Sequence, residues 1–367
     1  MSNKYAPPAE WIDGQKNVPG FWKGSYEDVL EVIGSVKKGR VTLGTTSAGG
    51  RDIYMVEYGK QGDLRRTATF NSATCVNRRD TDCYANKKGD DIKPCLMLMG
   101  CIHGLEFEGT VSLLNLISLL ETGRDFLGDE HPELVQAAEK LHLIIIPMVN
   151  PDGRCRFPYR SIVGAPFLTF RYYAQGTWKN GELCHHPACK AVHPIKEASD
   201  FLGCYFNDDG VNIQQEGVLT MSNEARFLFE TAHRFAPDIL VNMHGGSDTA
   251  GGLLDTSLAP QKLRNEILGL DQRVCTAFAK EGYKYVITSK YNSTDVNFKP
   301  QGLTGMLHLC CGGLSMTYES NQGVYVGPDR PDSQVLNHEQ IYRTHQLLYA
   351  EVFRYTCEIF EKRRQGK

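Results

Sequence analysis

The sequence has no excess of basic residues and no long apolar run. Lys and Arg number 40 and Asp and Glu number 43, which gives a net charge of −3. Proteins that bind nucleic acids normally carry a basic excess or a basic stripe, so this class of function is excluded. No apolar stretch approaches the ~20 residues that a membrane-spanning helix needs. We therefore expect neither a nucleic acid nor a membrane as a partner.

The N-terminal segment lacks the apolar core of a secretory signal. It reads MSNKYAPPAEWIDGQK, which is polar and contains two prolines. Because a secretory signal needs a continuous apolar stretch, we expect a cytoplasmic protein. Only about two dozen residues precede the first predicted helix. We therefore also expect no propeptide of the kind that precedes a secreted zymogen.

The chain has 12 cysteines, but without an export signal disulfide bonds are not expected. Most of these thiols are predicted to be reduced and buried. One cluster combines Cys184, His185, His186 and Cys189 with Cys204 nearby. Its spacing fits no standard zinc pattern well. Two interpretations stay open for it, a structural zinc site and ordinary packing of a loop.

Patterns of buried strands and helices alternate along most of the chain, and 41% of the residues are hydrophobic. Short apolar runs predict buried strands at 95–100, 143–148, 238–243 and 314–318, and a further strand is predicted at 283–288. Apolar residues recur with a helical period at 109–121, 132–140, 222–233, 260–280 and 338–361. Such alternation predicts an α/β layered fold.

We expect an N-terminal extension over residues 1–24 and a single catalytic domain over residues 25–367. Ser25 is predicted to cap a helix that ends near Gly39. Residues 154–206 form a long irregular stretch rich in aromatic side chains. Loops of this length are uncommon and are usually functional or disordered. The aromatic content predicts an ordered insertion that packs on the domain.

Two histidines and a carboxylate follow predicted strands in positions suited to a metal. His103 and Glu106 come just after the strand at 95–100, and His244 comes directly after the strand at 238–243. Ligands in α/β sheets gather outside the carboxyl ends of the strands. Zinc hydrolases commonly use three protein ligands and keep a fourth position open. The three residues are therefore candidate zinc ligands.

A second carboxylate, Glu319, follows the predicted strand at 314–318. A carboxylate at this place is poorly suited to a core and well suited to a cleft. It could accept a proton from a water molecule that a metal activates. Glu319 is therefore the candidate general base.

Five segments extend this pattern along the chain. They are GRDIY at 50–54, GCIHGLE at 100–106, PMVNPDG at 147–153, MHG at 243–245 and MTYE at 316–319. In kind and in order they resemble the motifs of the zinc carboxypeptidases of the carboxypeptidase A type, and the N-P-D-G segment is the most specific of them. The resemblance implies an α/β fold, a three-layer α/β/α sandwich with a mixed, largely parallel central sheet.

The resemblance also implies a set of roles. His103, Glu106 and His244 would hold one Zn²⁺ per chain. Glu319 would act as general base and acid. Arg160, in a Tyr-Arg pair after the N-P-D-G segment, would polarise the scissile carbonyl.

Three further residues follow from the same resemblance. Arg171 is the alternative to Arg160 for polarising the carbonyl. Asn150, within the N-P-D-G segment, is expected to contact the substrate. Tyr291 is the best match to the mobile tyrosine that covers the substrate in this family.

One segment departs from the family. The pattern G-x-D-x-N-R carries an Asn-Arg pair that grips the terminal carboxylate of the substrate, whereas this chain reads GVNIQQ at 210–215. Gln214 and Gln215 stand where asparagine and arginine are expected. Glutamine cannot supply the charged, bidentate fork of arginine. We therefore expect Gln214 and Gln215 to bind the substrate in an atypical way.

The expected function is zinc-dependent hydrolysis of an amide bond in a peptide or peptide-like substrate, by a metallocarboxypeptidase-like enzyme. Two alternatives stay open. One is a deacylase that hydrolyses an N-acyl amino acid at the same zinc site. The other is a non-catalytic descendant that binds a peptide or a metal. No oligomeric state is predicted.

Overall fold

The computed structural model describes residues 5–60, 62, 64, 73, 91–186, 188–217, 222–254, 259, 261–287, 302–324 and 333–365. Within them the strands are β1 (Arg40–Thr46), β2 (Asp52–Tyr58), β3 (Cys95–Gly100), β4 (His142–Ile146), β5 (Gly176–Trp178), β6 (Ser199–Leu202), β7 (Ile239–Ser247), β8 (Gly251–Leu254) and β9 (Leu314–Asn321). The helices are α1 (Ala9–Gly14), α2 (Tyr26–Ser35), α3 (Glu108–Thr122), α4 (Pro132–Glu139), α5 (Pro151–Cys155), α6 (Phe167–Gln175), α7 (Asn223–Phe235), α8 (Gln261–Lys280), α9 (Leu303–Cys311) and α10 (His338–Arg364).

The main sheet of the described chain has seven strands in the order β1-β2-β4-β3-β7-β9-β8. The four middle strands, β4, β3, β7 and β9, run parallel to one another. The pairs at the two ends of the sheet are antiparallel. This arrangement brings the carboxyl ends of β3, β7 and β9 side by side, which is where an α/β sheet offers a site.

Both faces of the sheet are covered by helices. Along β3, Leu96 and Leu98 belong to one hydrophobic core and Met97 and Met99 to another, because successive side chains of a strand point to opposite faces. The first core includes residues of α2, α3, α4, α8 and α10, and the second includes residues of α7 and α9. The predicted three-layer sandwich is therefore confirmed.

Most predicted helices begin at the expected residues. Ser25 caps α2 through a capping box with Asp28, as its sequence predicts, but α2 already ends at Ser35. The helix α9 was not predicted, because its sequence LTGMLHLCC is mostly apolar and shows no polar face. The strand expected at 283–288 is wrong for its described part, since residues 283–287 form no strand and only touch the edge of β8.

The aromatic segment 154–206 is folded and packs on the domain. It contains α5, α6 and the small antiparallel sheet of β5 and β6. Tyr172 stacks on Phe201, with ring centroids 4.7 Å apart. Trp11 and Trp22, from the predicted N-terminal extension, are buried in the first core. Among the described residues, no helix combines the length and apolarity that crossing a membrane requires.

Candidate metal centre

Adjacent parallel strands bring the predicted metal ligands together. His244 lies in β7, and His103 lies in the loop that follows β3. These two strands pair in parallel, with Gly100 opposite Met243. On the other side of β7, the strand β9 pairs so that Glu319 lies opposite His244. The sheet register therefore gathers the ligands and the candidate base at the carboxyl ends of β3, β7 and β9.

The three candidate ligands converge on a single point. The Nδ1 atoms of His103 and His244 lie 3.0 Å and 2.9 Å from the same Oε2 atom of Glu106. His103, Glu106 and His244 are all buried. Burial alone would raise the pKa of Glu106, but the charges of the two histidines outweigh it and lower that pKa. Glu106 is therefore held as a carboxylate.

The donor set fits a zinc ion. The three residues offer two imidazole nitrogens and one carboxylate oxygen, and their ligating atoms lie within 4.8 Å of one another. The Nδ1 atom of His103 is buried, and its contact with Glu106 lacks the geometry of a hydrogen bond. A buried nitrogen without such a partner is costly unless another group satisfies it. Imidazole and carboxylate ligands of this number are typical of catalytic zinc sites.

Two glycines allow close packing between the helix α5 and the loop after β3. This loop carries His103 and Glu106 and is called the metal loop. A Cβ atom on Gly104 would lie 2.1 Å from the backbone carbon of Gly153 and 2.2 Å from the nitrogen of Arg154. A Cβ atom on Gly153 would lie 2.2 Å from the carbonyl oxygen of Cys204. Because backbone atoms cannot move aside as a flexible side chain can, only glycine fits at these two positions.

A buried ionic network explains two of the motifs seen in the sequence. Arg51 donates to Asp152 at 2.8 Å and to Asp208 at 3.0 Å. Asp152 is fully buried and also accepts hydrogen bonds from the hydroxyl of Ser47 and the backbone of Gly49. The network ties the β1–β2 hairpin to the N-P-D-G segment. These motif residues therefore support the metal loop and do not line it.

The outer partners of the two histidines carry no charge. The Nε2 atom of His103 lies 3.2 Å from the Oδ1 atom of Asn212. The pattern G-x-D-x-N-R has an aspartate at the position of Asn212. The Nε2 atom of His244 is buried and has no hydrogen-bond partner within the described residues. Outer partners set the orientation and basicity of metal-binding histidines, and at His103 a neutral amide takes this place.

Two carboxylates next to the ligands have altered pKa values. Burial raises the pKa of Glu319 to about 7, while the charge of His244 opposes this effect. Glu319 is half-buried at the edge of the sheet. Burial also raises the pKa of Glu108 to about 8, but Glu108 is enclosed in the protein beside Gln322. Of the two, only Glu319 has a side chain accessible to solvent.

Gln214 and Gln215, the two predicted substrate-binding glutamines, differ in their contacts. Gln214 accepts from the amide of Asn242 at 2.9 Å and donates to the hydroxyl of Thr304 at 3.2 Å. Asn242 is two residues before His244 on β7, so their side chains share a face of the sheet. The Nε2 atom of Gln215 is buried without a hydrogen-bond partner in the described part of the chain.

Two predicted site residues, Arg160 and Asn150, make contacts elsewhere. Arg160 donates to the carbonyl of Val18, and within the described residues it makes no hydrogen bond or ion pair with the metal ligands or Glu319. Asn150 is fully buried, where its amide caps α5 and contacts the carbonyl of Ile102. The contacts therefore do not support the predicted roles of Arg160 and Asn150. Tyr291 lies outside the described residues.

Three residues that the sequence analysis did not identify lie close to the centre. The ring of Tyr205 stacks on His103, with centroids 4.1 Å apart and an interplanar angle of 2°. The positive charge of Lys190 opposes the rise in the pKa of Glu319 that burial causes. Burial lowers the pKa of His186, and the positive charges of Lys190 and His103 lower it further. All three residues come from the aromatic segment or its end, far from the ligands in sequence, so no local pattern could have linked them.

Two cysteines of the Cys184–Cys204 cluster pack in a small apolar core, whereas Cys204 belongs to the first core. Cys184 and Cys189 are buried with Ile195 and Phe206. Cys184, Cys189 and Cys204 are free thiols, and within the described residues none of the three belongs to a group of side chains close enough to share a metal. The packing interpretation of this loop is therefore favoured.

A second group could hold a metal by distance alone, Asp125, Asp129 and His131. Its atoms already have protein partners. Asp125 accepts from the hydroxyl of Tyr342 at 2.8 Å and Asp129 pairs with Arg343 at 2.7 Å. This group therefore needs no ion to be satisfied.

Comparisons with known proteins agree with the fold. A family model described as zinc carboxypeptidase matches residues 27–178. No curated protein matches the chain. The family model confirms that the chain resembles the zinc carboxypeptidases, a zinc-dependent family, over residues 27–178.

Several solved structures share the fold at low identity. A metallo-carboxypeptidase from Burkholderia cenocepacia is 14% identical with a TM-score of 0.55, over 90% of this chain and 69% of that one. Carboxypeptidase A from Helicoverpa armigera is also 14% identical with a TM-score of 0.55, over 96% of this chain and 80% of that one. A metallo-carboxypeptidase from Pseudomonas aeruginosa, in complex with (2-guanidinoethylmercapto)succinic acid, is 15% identical with a TM-score of 0.54, over 91% of this chain and 70% of that one.

The close approach at Gly104 gives a direct test of how the metal loop is supported. Gly104→Ala places a methyl group against the backbone of Gly153, and overpacking of this kind costs about 1–3 kcal/mol. We expect thermal unfolding to occur at a clearly lower temperature. Gly34→Ala, in α2, is the matched control, because a Cβ there meets nothing within 4 Å and alanine is the better helix former. Equal unfolding temperatures for the wild type and Gly104→Ala would show that the loop at Gly104 and the helix α5 are not in tight contact.

Proposed function

We propose that the chain is a zinc-dependent hydrolase that cleaves an amide bond in a peptide or peptide-like substrate. The observation that carries this proposal is the convergence of His103, Glu106 and His244 on one point, with Glu319 opposite His244 in the sheet. The match to the zinc carboxypeptidase family supports it. One Zn²⁺ per chain would be held by the three ligands.

The chain's own residues divide the work of such a reaction. A zinc ion at this place supplies a Lewis acid that polarises a carbonyl and makes a water molecule more acidic. Glu319 can accept a proton from water and donate it to the leaving amine, because its carboxylate lies beside the ligands at the edge of the sheet. Burial shields the rings of His103 and His244 from bulk solvent.

Recognition of the substrate is proposed to be atypical. Gln214 is engaged with Asn242 and Thr304, and Gln215 offers an amide but no charge. A charge-assisted hydrogen bond is worth about 1.5–3 kcal/mol, and glutamine cannot replace the arginine that would make it. A glutamine amide can instead donate to and accept from a neutral group. The C-terminal group of the substrate is therefore proposed to be uncharged.

Two substitutions separate metal binding from proton transfer. His103→Ala removes a ligand, so we expect loss of most bound zinc and of turnover. Glu319→Gln keeps the shape of the side chain but cannot accept a proton, so we expect full zinc content and a turnover at least ~10²-fold lower. Elemental analysis and a peptidase assay on the same samples measure both quantities. Full zinc and full activity in His103→Ala would contradict the metal assignment, and wild-type turnover in Glu319→Gln would move the base to another carboxylate such as Glu108.

The uncharged C-terminal group is tested with matched peptides. We expect amidated or internally branched peptides to be better substrates than the same peptides with a free carboxylate, because no arginine stands at 214 or 215. The panel is assayed with zinc present and includes N-acetyl amino acids, whose exclusive turnover would favour the deacylase. A clear preference for the free carboxylate would contradict the proposal. Arg171→Gln, Lys179→Gln and Lys190→Gln would then identify the basic residue that binds it.

A further inference from the structure

Tyr205 stacks on one candidate ligand and lies near a second. Its ring lies parallel to the imidazole of His103, at a centroid distance of 4.1 Å. Burial raises the pKa of the Tyr205 hydroxyl, and the charge of the nearby Glu106 carboxylate adds to this effect. The side chain therefore covers the ring face of His103 and lies near the carboxylate of Glu106.

The backbone that carries Tyr205 is fixed from several sides. The carbonyl of Cys204 accepts from the backbone of Gly104, within the metal loop, at 2.7 Å. The backbone nitrogen of Tyr205 donates to the carbonyl of Ala174 at 2.9 Å. Arg156 donates to the carbonyl of Phe206, the next residue, at 2.6 Å. The segment is therefore tied both to the metal loop and to the body of the insertion.

His103 can keep one orientation only if its ring is held on more than one side. Asn212 contacts the edge of the ring at Nε2, which restrains the plane but leaves the face open. A stacked aromatic ring covers that face and excludes the alternative rotamers. A hydroxyl beside Glu106 likewise restrains the carboxylate, whose contacts within the described residues include the two histidines and the backbone nitrogen of Gly245.

We propose that Tyr205 is a positioning residue of the metal centre, whose ring orients His103 and whose hydroxyl orients Glu106 before the metal binds. This inference rests on the proposed function, because it assumes that the two residues are ligands. Ligands that are already oriented lose less conformational freedom when they bind, so the metal binds more tightly. The insertion would then act on zinc affinity and not only on substrate access.

Two variants separate the two contacts of Tyr205. Tyr205→Phe keeps the ring and removes the hydroxyl, whereas Tyr205→Leu removes both. Loss of an outer partner typically weakens metal binding by 10- to 100-fold. We expect zinc affinity to fall in the order wild type, Tyr205→Phe, Tyr205→Leu, with the last at least ~10-fold weaker. Competition with a chromophoric chelator measures the affinity, and the visible spectrum of the cobalt(II)-loaded protein reports whether the ligand geometry has changed.

Tyr172 provides the matched control within the same segment. It stacks on Phe201 at 4.7 Å and an interplanar angle of 3°, away from the ligands. Tyr172→Leu should therefore keep the wild-type zinc affinity and cobalt spectrum. Circular dichroism checks that each variant is folded, and if Tyr205→Leu fails to fold, the near-isosteric Tyr205→Phe decides alone.

The outcomes distinguish this inference from the proposed function. Weaker zinc binding in the Tyr205 variants, with Tyr172→Leu unchanged, supports the positioning role. Wild-type affinity and a wild-type cobalt spectrum in the folded Tyr205 variants would overturn it and leave the proposed function in place. A wild-type protein that binds no zinc would overturn both.

Discussion

The carboxylate of Glu106 is buried, and two imidazole nitrogens face the same one of its oxygen atoms. Removing a charge from water costs several kcal/mol unless nearby groups compensate it. Here the compensation comes from His103, His244 and the backbone nitrogen of Gly245. These groups belong to two neighbouring parallel strands and the loop after one of them. The charge can therefore be buried only if the ends of β3 and β7 are held together.

Much of the surrounding packing serves that requirement. Gly104 lets the metal loop touch the backbone at Gly153. Arg51 holds Asp152, which fixes the segment behind the loop. On the open side, Glu319 projects from β9 opposite His244. Close backbone contacts and buried hydrogen bonds therefore position the ligands of this centre. The insertion then completes it on the side of His103.

The sequence predicted the parts of this centre that follow buried strands. His103, Glu106, His244 and Glu319 could be found because each lies within a few residues of a recognisable apolar run. The roles given to Asn150 and Arg160 rested on resemblance alone. The structure shows that Asn150 is used as a helix cap and that Arg160 points to Val18. Tyr205 reaches His103 only through the folding of the long insertion, so no local pattern could reveal it. The helix α9 was missed because it is apolar on all sides.

X-ray absorption at the zinc K-edge of the zinc-loaded protein tests the central claim most directly. Two histidines and one carboxylate predict a first shell of nitrogen and oxygen atoms at about 2.0–2.2 Å, with the outer-shell scattering of imidazole. A zinc bound by the cysteines of the insertion would instead place sulfur at about 2.3 Å. A shell of nitrogen and oxygen alone would agree with the centre at His103, Glu106 and His244. A sulfur shell would contradict it and assign the metal to the Cys184–Cys204 cluster.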